Sequence, residues 1–149
     1  MKSILYILLF SVAACSVKAQ NPVNWTYSAK KTADNTFEVK LTATIDAGWH
    51  LYSQTQPADA IAIPTEIIFT KNPLLSFEGK IKEVGNLEKY HDKTLDVSAN
   101  QYSRKVEFVQ VVKVKGKGRT NASGTIEFQT CTDERCLPAK KINFSVTLN

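Results

Sequence analysis

Two cysteines close to the C-terminal end, Cys131 and Cys136, stand in the run Phe128-Gln-Thr-Cys-Thr-Asp-Glu-Arg-Cys-Leu-Pro138 with four residues between them. Three chemistries are open to such a pair: a structural bridge, a dithiol made and broken in use, or part of a zinc site. A bridge closing so small a ring removes only about 2 kcal/mol from the unfolded chain in the entropy model. A chain of 149 residues is also long enough to be stable on its core alone. Secreted proteins nonetheless carry many short-loop structural bridges. Exchange needs a thiolate that a partner's sulfur can reach, and a second cysteine near enough to resolve the mixed disulfide. Arg135 beside Cys136, with Lys140 and Lys141 close behind, favours a Cys136 thiolate, whereas Asp133 and Glu134 oppose it. The same two acids could assist proton transfer during exchange, although acids in an exposed bend are usually just solvated. Zinc would need more soft ligands, and the two histidines, His50 and His91, lie far off in sequence. No metal is expected. Spacing and charge leave staple and working dithiol both open.

The elements that must hold the pair read as strands. Phe37, Val39, Leu41, Ala43 and Ile45 alternate with polar residues, the pattern of a half-buried strand. Val106, Phe108, Val112 and Val114 mark a second strand, with Val109 and Val111 predicting cover on both faces for part of it. Ile126 and Phe128 mark a third, leading into Cys131, and Ile142, Phe144, Val146 and Leu148 a fourth. Weaker strands are predicted around residues 25–29, 49–53, 65–70 and 77–84. Turn signals separate them at Asp34-Asn35, Asp46-Ala-Gly48, Asn72-Pro73, Lys115-Gly-Lys-Gly118 and Asn121-Ala-Ser-Gly124. No segment keeps a helical period over three turns. Short strands with frequent turns predict an all-β, immunoglobulin-like β-sandwich. From Gly85 to Tyr102 the alternation fails, with Leu87, Tyr90, Leu95 and Val97 as isolated apolar residues. A long irregular loop is predicted there, and such loops in compact domains are usually functional or disordered. Trp25 and Trp49 are read as core or edge aromatics, and His91 as a solvated side chain. Asn121-Ala-Ser123, formally a glycosylation acceptor, is read as a plain turn.

Residues 1–19 have the form of a secretory signal: Lys2, an apolar run over residues 4–14, then a small-residue cleavage site at Val17-Lys18-Ala19. The run is too short to span a membrane, which leaves a domain of residues 20–149. Val12-Ala-Ala-Cys15 also fits a bacterial lipoprotein box, in which Cys15 would be acylated. Losing the leader removes two lysines and no acids, taking the formal net charge from +5 down by two to +3. The positive run from Lys113 to Arg119 is interleaved with glycines and has no aromatic platform, so it predicts a solvated turn and no nucleic-acid groove.

The run from Gly124 to Pro138, taken with Gly48-Trp-His-Leu-Tyr-Ser-Gln54, resembles the N-terminal periplasmic domain of the DsbD family of thiol–disulfide interchange proteins. The resemblance covers residues 22–149. It implies an immunoglobulin-like fold, no cofactor, and a redox pair formed by Cys131 and Cys136, with Cys136 attacking partner disulfides and Arg135 beside it. It places His50 and Tyr52 next to the disulfide and makes Gly85 to Tyr102 a cap loop. Where the family typically has a capping phenylalanine, this chain offers Leu95 or Tyr90. The implied partners are a membrane-embedded electron donor of the DsbD or CcdA type and oxidised periplasmic proteins, including disulfide isomerases and the cytochrome c maturation pathway. Full-length members continue into transmembrane helices and a thioredoxin-like domain. Since this chain stops at Asn149, a separate membrane protein is expected to supply its electrons, and a periplasmic monomer is expected. The competing expectation is a secreted or lipid-anchored immunoglobulin-like binding module with a purely structural bridge.

Overall fold

The computed structural model describes residues 21–116 and 118–149. The expected leader and Cys15 lie outside the described residues. Among those described, every regular element is a strand. β1 (Val23–Ala33), β2 (Thr36–Ile45), β8 (Lys105–Val114) and β5 (Leu75–Gly85) form one sheet in the order β1-β2-β8-β5. β11 (Lys140–Leu148), β9 (Thr120–Phe128) and β4 (Glu66–Phe69) form a second, in that order. A third, smaller sheet runs β10 (Thr130–Cys131), β3 (His50–Tyr52), β7 (Val97–Ser103) and β6 (Glu88–Asp92). All pairings are antiparallel. This is the immunoglobulin-like sandwich that the strand pattern predicts.

The alternating residues supply its interior. Val39, Leu41 and Ala43 of β2 and Phe108 and Val112 of β8 share one core with Ile126 of β9 and Phe144 and Leu148 of β11. Each large side chain so buried contributes about 1.5–3 kcal/mol. Trp25 packs at the margin of this core, its ring 5.8 Å from Phe108 and 5.4 Å from Phe128. Gln110 interrupts the apolar series of β8 and is nevertheless buried. Its Nε2 donates to the carbonyl of Glu78 at 2.9 Å, where the β5–β8 register slips between Glu78 and Lys82. Val109 and Val111 are half-buried on the opposite face.

Two expectations need correction. Asn121-Ala-Ser-Gly124 is not a turn but lies inside β9, paired on one side with β11 and, at Gly124, with Phe69 of β4 on the other. The glycine that suggests a turn is there because a β-carbon at 124 would run into the Ile68 carbonyl oxygen and lie 2.8 Å from Phe144 Cζ; Phe144 stands edge-on to Phe69 at 5.2 Å. The stretch from Gly85 to Tyr102 is likewise not an irregular loop but the hairpin β6–β7, in register from Glu88↔Gln101 to Asp92↔Val97. Its turn is closed by the Asp92 carboxylate, which accepts from the N–H groups of Thr94 at 2.8 Å and Leu95 at 3.0 Å. Asp96 then takes the left-handed conformation (φ 53°) that Asp tolerates better than most residues.

Three hydrogen bonds to one carboxylate tie the small sheet to the large one. Glu83 of β5 accepts from Ser53 Oγ (2.7 Å), the Gln54 N–H (2.6 Å) and Tyr102 Oη (2.7 Å). Burial, and then this carboxylate, raise the Tyr102 phenol well above its ordinary pKa. Gln56 and Asn100 add a reciprocal pair: the Gln56 amide donates to the Asn100 carbonyl, and the Asn100 N–H donates to Gln56 Oε1. Thr65 Oγ1 donates to the Tyr52 carbonyl at 2.6 Å. The strand β3 is thereby fixed at its C-terminal end.

Candidate functional site

Cys131 ends β10 and is bonded to Cys136 across a four-residue turn, with the two α-carbons 4.0 Å apart. The turn has its own closure. The Thr132 N–H donates to the Arg135 carbonyl at 2.7 Å, and the Leu137 N–H to the Thr130 carbonyl at 2.9 Å. Thr132 Oγ1 accepts from the N–H groups of Glu134 and Arg135 at 3.2 and 3.1 Å, the side-chain-to-backbone pattern that favours threonine in turns. The two cysteines differ sharply in access. Cys131 is 1% exposed and packs with Tyr52 and Ala99, whereas Cys136 is exposed.

Cys136 opens onto a cavity of about 260 Å³. One wall is the turn itself, with Asp133, Glu134 and Arg135; the facing wall is the β6–β7 hairpin, with Tyr90 and Leu95; His50 and Tyr52 form part of the floor. Every site residue anticipated from sequence except the buried Cys131 therefore borders one space. Neither capping candidate is a closed lid: Leu95 is 62% exposed and Tyr90 43%. Arg135 is already engaged, its guanidinium 5.6 Å above the Trp49 ring, a cation–π contact.

His50 lies directly opposite Cys131 in the β3–β10 ladder, and residues so paired project to the same face. The imidazole is 8% exposed. Its Nε2 is 3.3 Å from Tyr52 Oη, and the two rings meet edge to face at 5.3 Å. Burial holds the His50 pKa below its ordinary value, with the charges of Asp133 and Glu88 pulling it partly back. Tyr52 is pushed up, first by burial and then by Tyr90. His91 is half-exposed as expected, its Nδ1 3.1 Å from Ser98 Oγ and its Nε2 3.6 Å from Asp96. Among the described residues no cluster of histidine, cysteine and acidic groups could hold a metal ion.

Sequence reading misses part of the lining. Ile61 and Ala62 come from the Pro-bounded loop after β3, and Val97, Ala99 and Gln101 from β7. The spacing 97, 99, 101 is an available signal, but only Val97 is distinctly apolar, while Ala99 is small and Gln101 polar. Ile61, at 74% exposure, is the most exposed large apolar side chain among the described residues, and an Ile-Ala-Ile run between prolines Pro57 and Pro64 is the clue to it.

Comparison with known proteins identifies a family. The sequence matches the family model described as thiol:disulfide interchange protein DsbD, N-terminal, over residues 19–148. No curated protein sequence matches it. Among solved structures it is similar to the N-terminal periplasmic domain of ScsB from Proteus mirabilis, with a TM-score of 0.52 and 17% identity over 85% of this chain and 44% of that one. The chain therefore spans less than half the length of that protein's chain. It is also similar to the DsbD N-terminal domain of Neisseria meningitidis in its reduced form, with a TM-score of 0.43 and 16% identity over 84% of this chain and 86% of that one. The structure of the complex between the DsbD and PilB N-terminal domains of the same organism matches with a TM-score of 0.47 and 16% identity over 81% and 80%. At these identities the structural likeness speaks to the fold; the family match, running almost from end to end of the chain, speaks to descent. The chain belongs to the family of DsbD N-terminal domains, whose chemistry is thiol–disulfide interchange.

Proposed function

We propose that this domain is a periplasmic thiol–disulfide carrier, taking two electrons at a time from a membrane reductase and passing them to oxidised periplasmic proteins through Cys131 and Cys136. The observation that carries the reading is the unequal access of the two sulfurs: Cys136 at a cavity mouth, Cys131 1% exposed beneath it. In the reduced domain the Cys136 thiolate attacks a partner disulfide, forming a mixed disulfide and releasing one partner thiolate. Cys131 then loses its proton and attacks the Cys136 sulfur, releasing the second partner thiolate and restoring the internal bond. The partner gains two electrons and the dithiol loses two. Because Thr132 and the backbone close the turn, the cysteines remain opposed when the bond between them is open, which favours fast resolution. No cofactor is required.

The reading is tested by equilibrating the purified domain in defined thiol buffers and counting alkylated cysteines. The expected midpoint falls roughly between −120 and −270 mV, the range of working thiol carriers. A bridge still fully formed below about −300 mV is a structural one and overturns the proposal.

Leu95, at the tip of the hairpin, is proposed to shield the exposed sulfur. A side chain 62% exposed retains only part of the 1.5–3 kcal/mol that full burial is worth, about 1 kcal/mol. Leu95→Ala should therefore speed alkylation of the reduced Cys136 about five-fold; an unchanged rate assigns the shielding elsewhere.

A further inference from the structure

The small sheet places three residues in one row across adjacent strands: Cys131 pairs with His50, and His50 pairs with Ser103. Residues opposite one another in a ladder share a face, with β-carbons about 4.5–5.5 Å apart. At the outer end Ser103 Oγ donates to Glu88 Oε2 at 3.0 Å. The row thus runs from a disulfide sulfur that is 1% exposed, through an imidazole that is itself buried, to a carboxylate at the rim of the sheet. From this geometry we infer that His50 is the base that takes the proton of Cys131 in the resolving step, with Glu88 and Asp133 balancing the charge that His50 acquires. The inference rests on the carrier reading above.

Three physical points support it. A thiol packed against Tyr52 and Ala99 has no water to receive its proton, and an apolar setting disfavours its thiolate. A base suited to neutral pH has a pKa near the working pH, which histidine offers and an exposed carboxylate does not. The tautomer that donates from Nε2 to Tyr52 Oη leaves Nδ1 with a lone pair for the incoming proton. The other charged groups lining the cavities that His50 borders are Asp46 and Arg104 on one side, and Asp92, Glu134 and Arg135 on the Cys136 side. Glu88 and Asp133 are the two whose charge acts on His50. A neutral resting imidazole is what the row requires: a base must arrive without a proton.

The test uses the intact reduced domain and dithiobis(nitrobenzoic acid), an aromatic disulfide that releases one coloured thiolate as Cys136 attacks and a second as Cys131 resolves. In His50→Gln the first phase is expected to keep its rate at pH 7 while the second slows about 100-fold, the lower end of what a positioned base supplies. Its rate should then climb about ten-fold per pH unit, as hydroxide rather than the protein removes the proton. The unsubstituted domain should instead show a shallow profile that falls only where the imidazole protonates. A second phase with unchanged rate and unchanged pH profile overturns the inference. So does a slowdown equal at every pH in both His50→Gln and His50→Asn, which marks a packing role. If the unsubstituted domain releases no second thiolate at all, the carrier reading fails and the inference with it.

Discussion

Cys131→Ser should accumulate a stable mixed disulfide on Cys136 when the reduced domain meets oxidised glutathione, and Cys136→Ser should accumulate almost none on Cys131. The contrast follows from access alone. Cys136 stands at the mouth of a cavity, whereas Cys131 is 1% exposed under Tyr52 and Ala99. Exchange at the buried sulfur must wait for the small sheet to open, and a local opening of nearly 3 kcal/mol corresponds to about a 100-fold lower rate. Intact mass gives the readout directly, since the adduct on one cysteine and the free thiol on the other differ by one glutathione. Equal labelling of the two variants would remove the division into attacking and resolving sulfurs.

Gly124→Ala carries the second large effect, on stability. The β-carbon would collide with the Ile68 carbonyl oxygen, a backbone atom that cannot step aside without breaking the β4–β9 pairing, and would press on Phe144 at 2.8 Å. Overpacking a good core costs about 1–3 kcal/mol where side chains can adjust. Here the obstacle is backbone, so a loss of at least about 3 kcal/mol is expected, which lowers Tm by roughly 10–15 °C in a domain of this size. Ser123→Ala, one residue earlier on the opposite face, is half-buried and serves as the control, with a change within about 0.5 kcal/mol. Thermal unfolding followed by circular dichroism distinguishes the two outcomes, and near-equal melting of both variants would show that β9 accommodates the methyl.

These two substitutions also mark where the sequence is legible and where it is not. β2 and β11 alternate cleanly because one face meets the large core, so their positions and inward residues can be read directly, whereas β8 is read as a strand with its middle blurred by Val109, Gln110 and Val111. The cysteines follow a legible strand, and their place at its end is therefore legible too. The hairpin β6–β7 is hidden because its inner face borders a cavity rather than a packed interior. The residues there, such as Ala99 and Gln101, carry little hydrophobic signal. Gly124 misleads for the opposite reason: it lies in so crowded an interior that only the absence of a side chain fits. Gln110 cannot be placed from sequence, since its burial is explained by a carbonyl released where β5 bulges, a long-range event. His50 is half-legible. Its alternation against Trp49 and Leu51 gives the face, but only the pairing with β10 shows what stands opposite.

β6 is an edge strand of the small sheet, and among the described residues no strand pairs with its outer rim of backbone donors and acceptors. Such a rim invites a second copy. The strand reads Glu88-Lys-Tyr-His-Asp92, and two of these laid antiparallel about their centre would set Glu88 against Asp92 and Lys89 against His91. Carboxylate would face carboxylate at both ends, a juxtaposition that destabilises strand pairing. The lettering of five residues thus discourages the domain from zipping to itself along this edge.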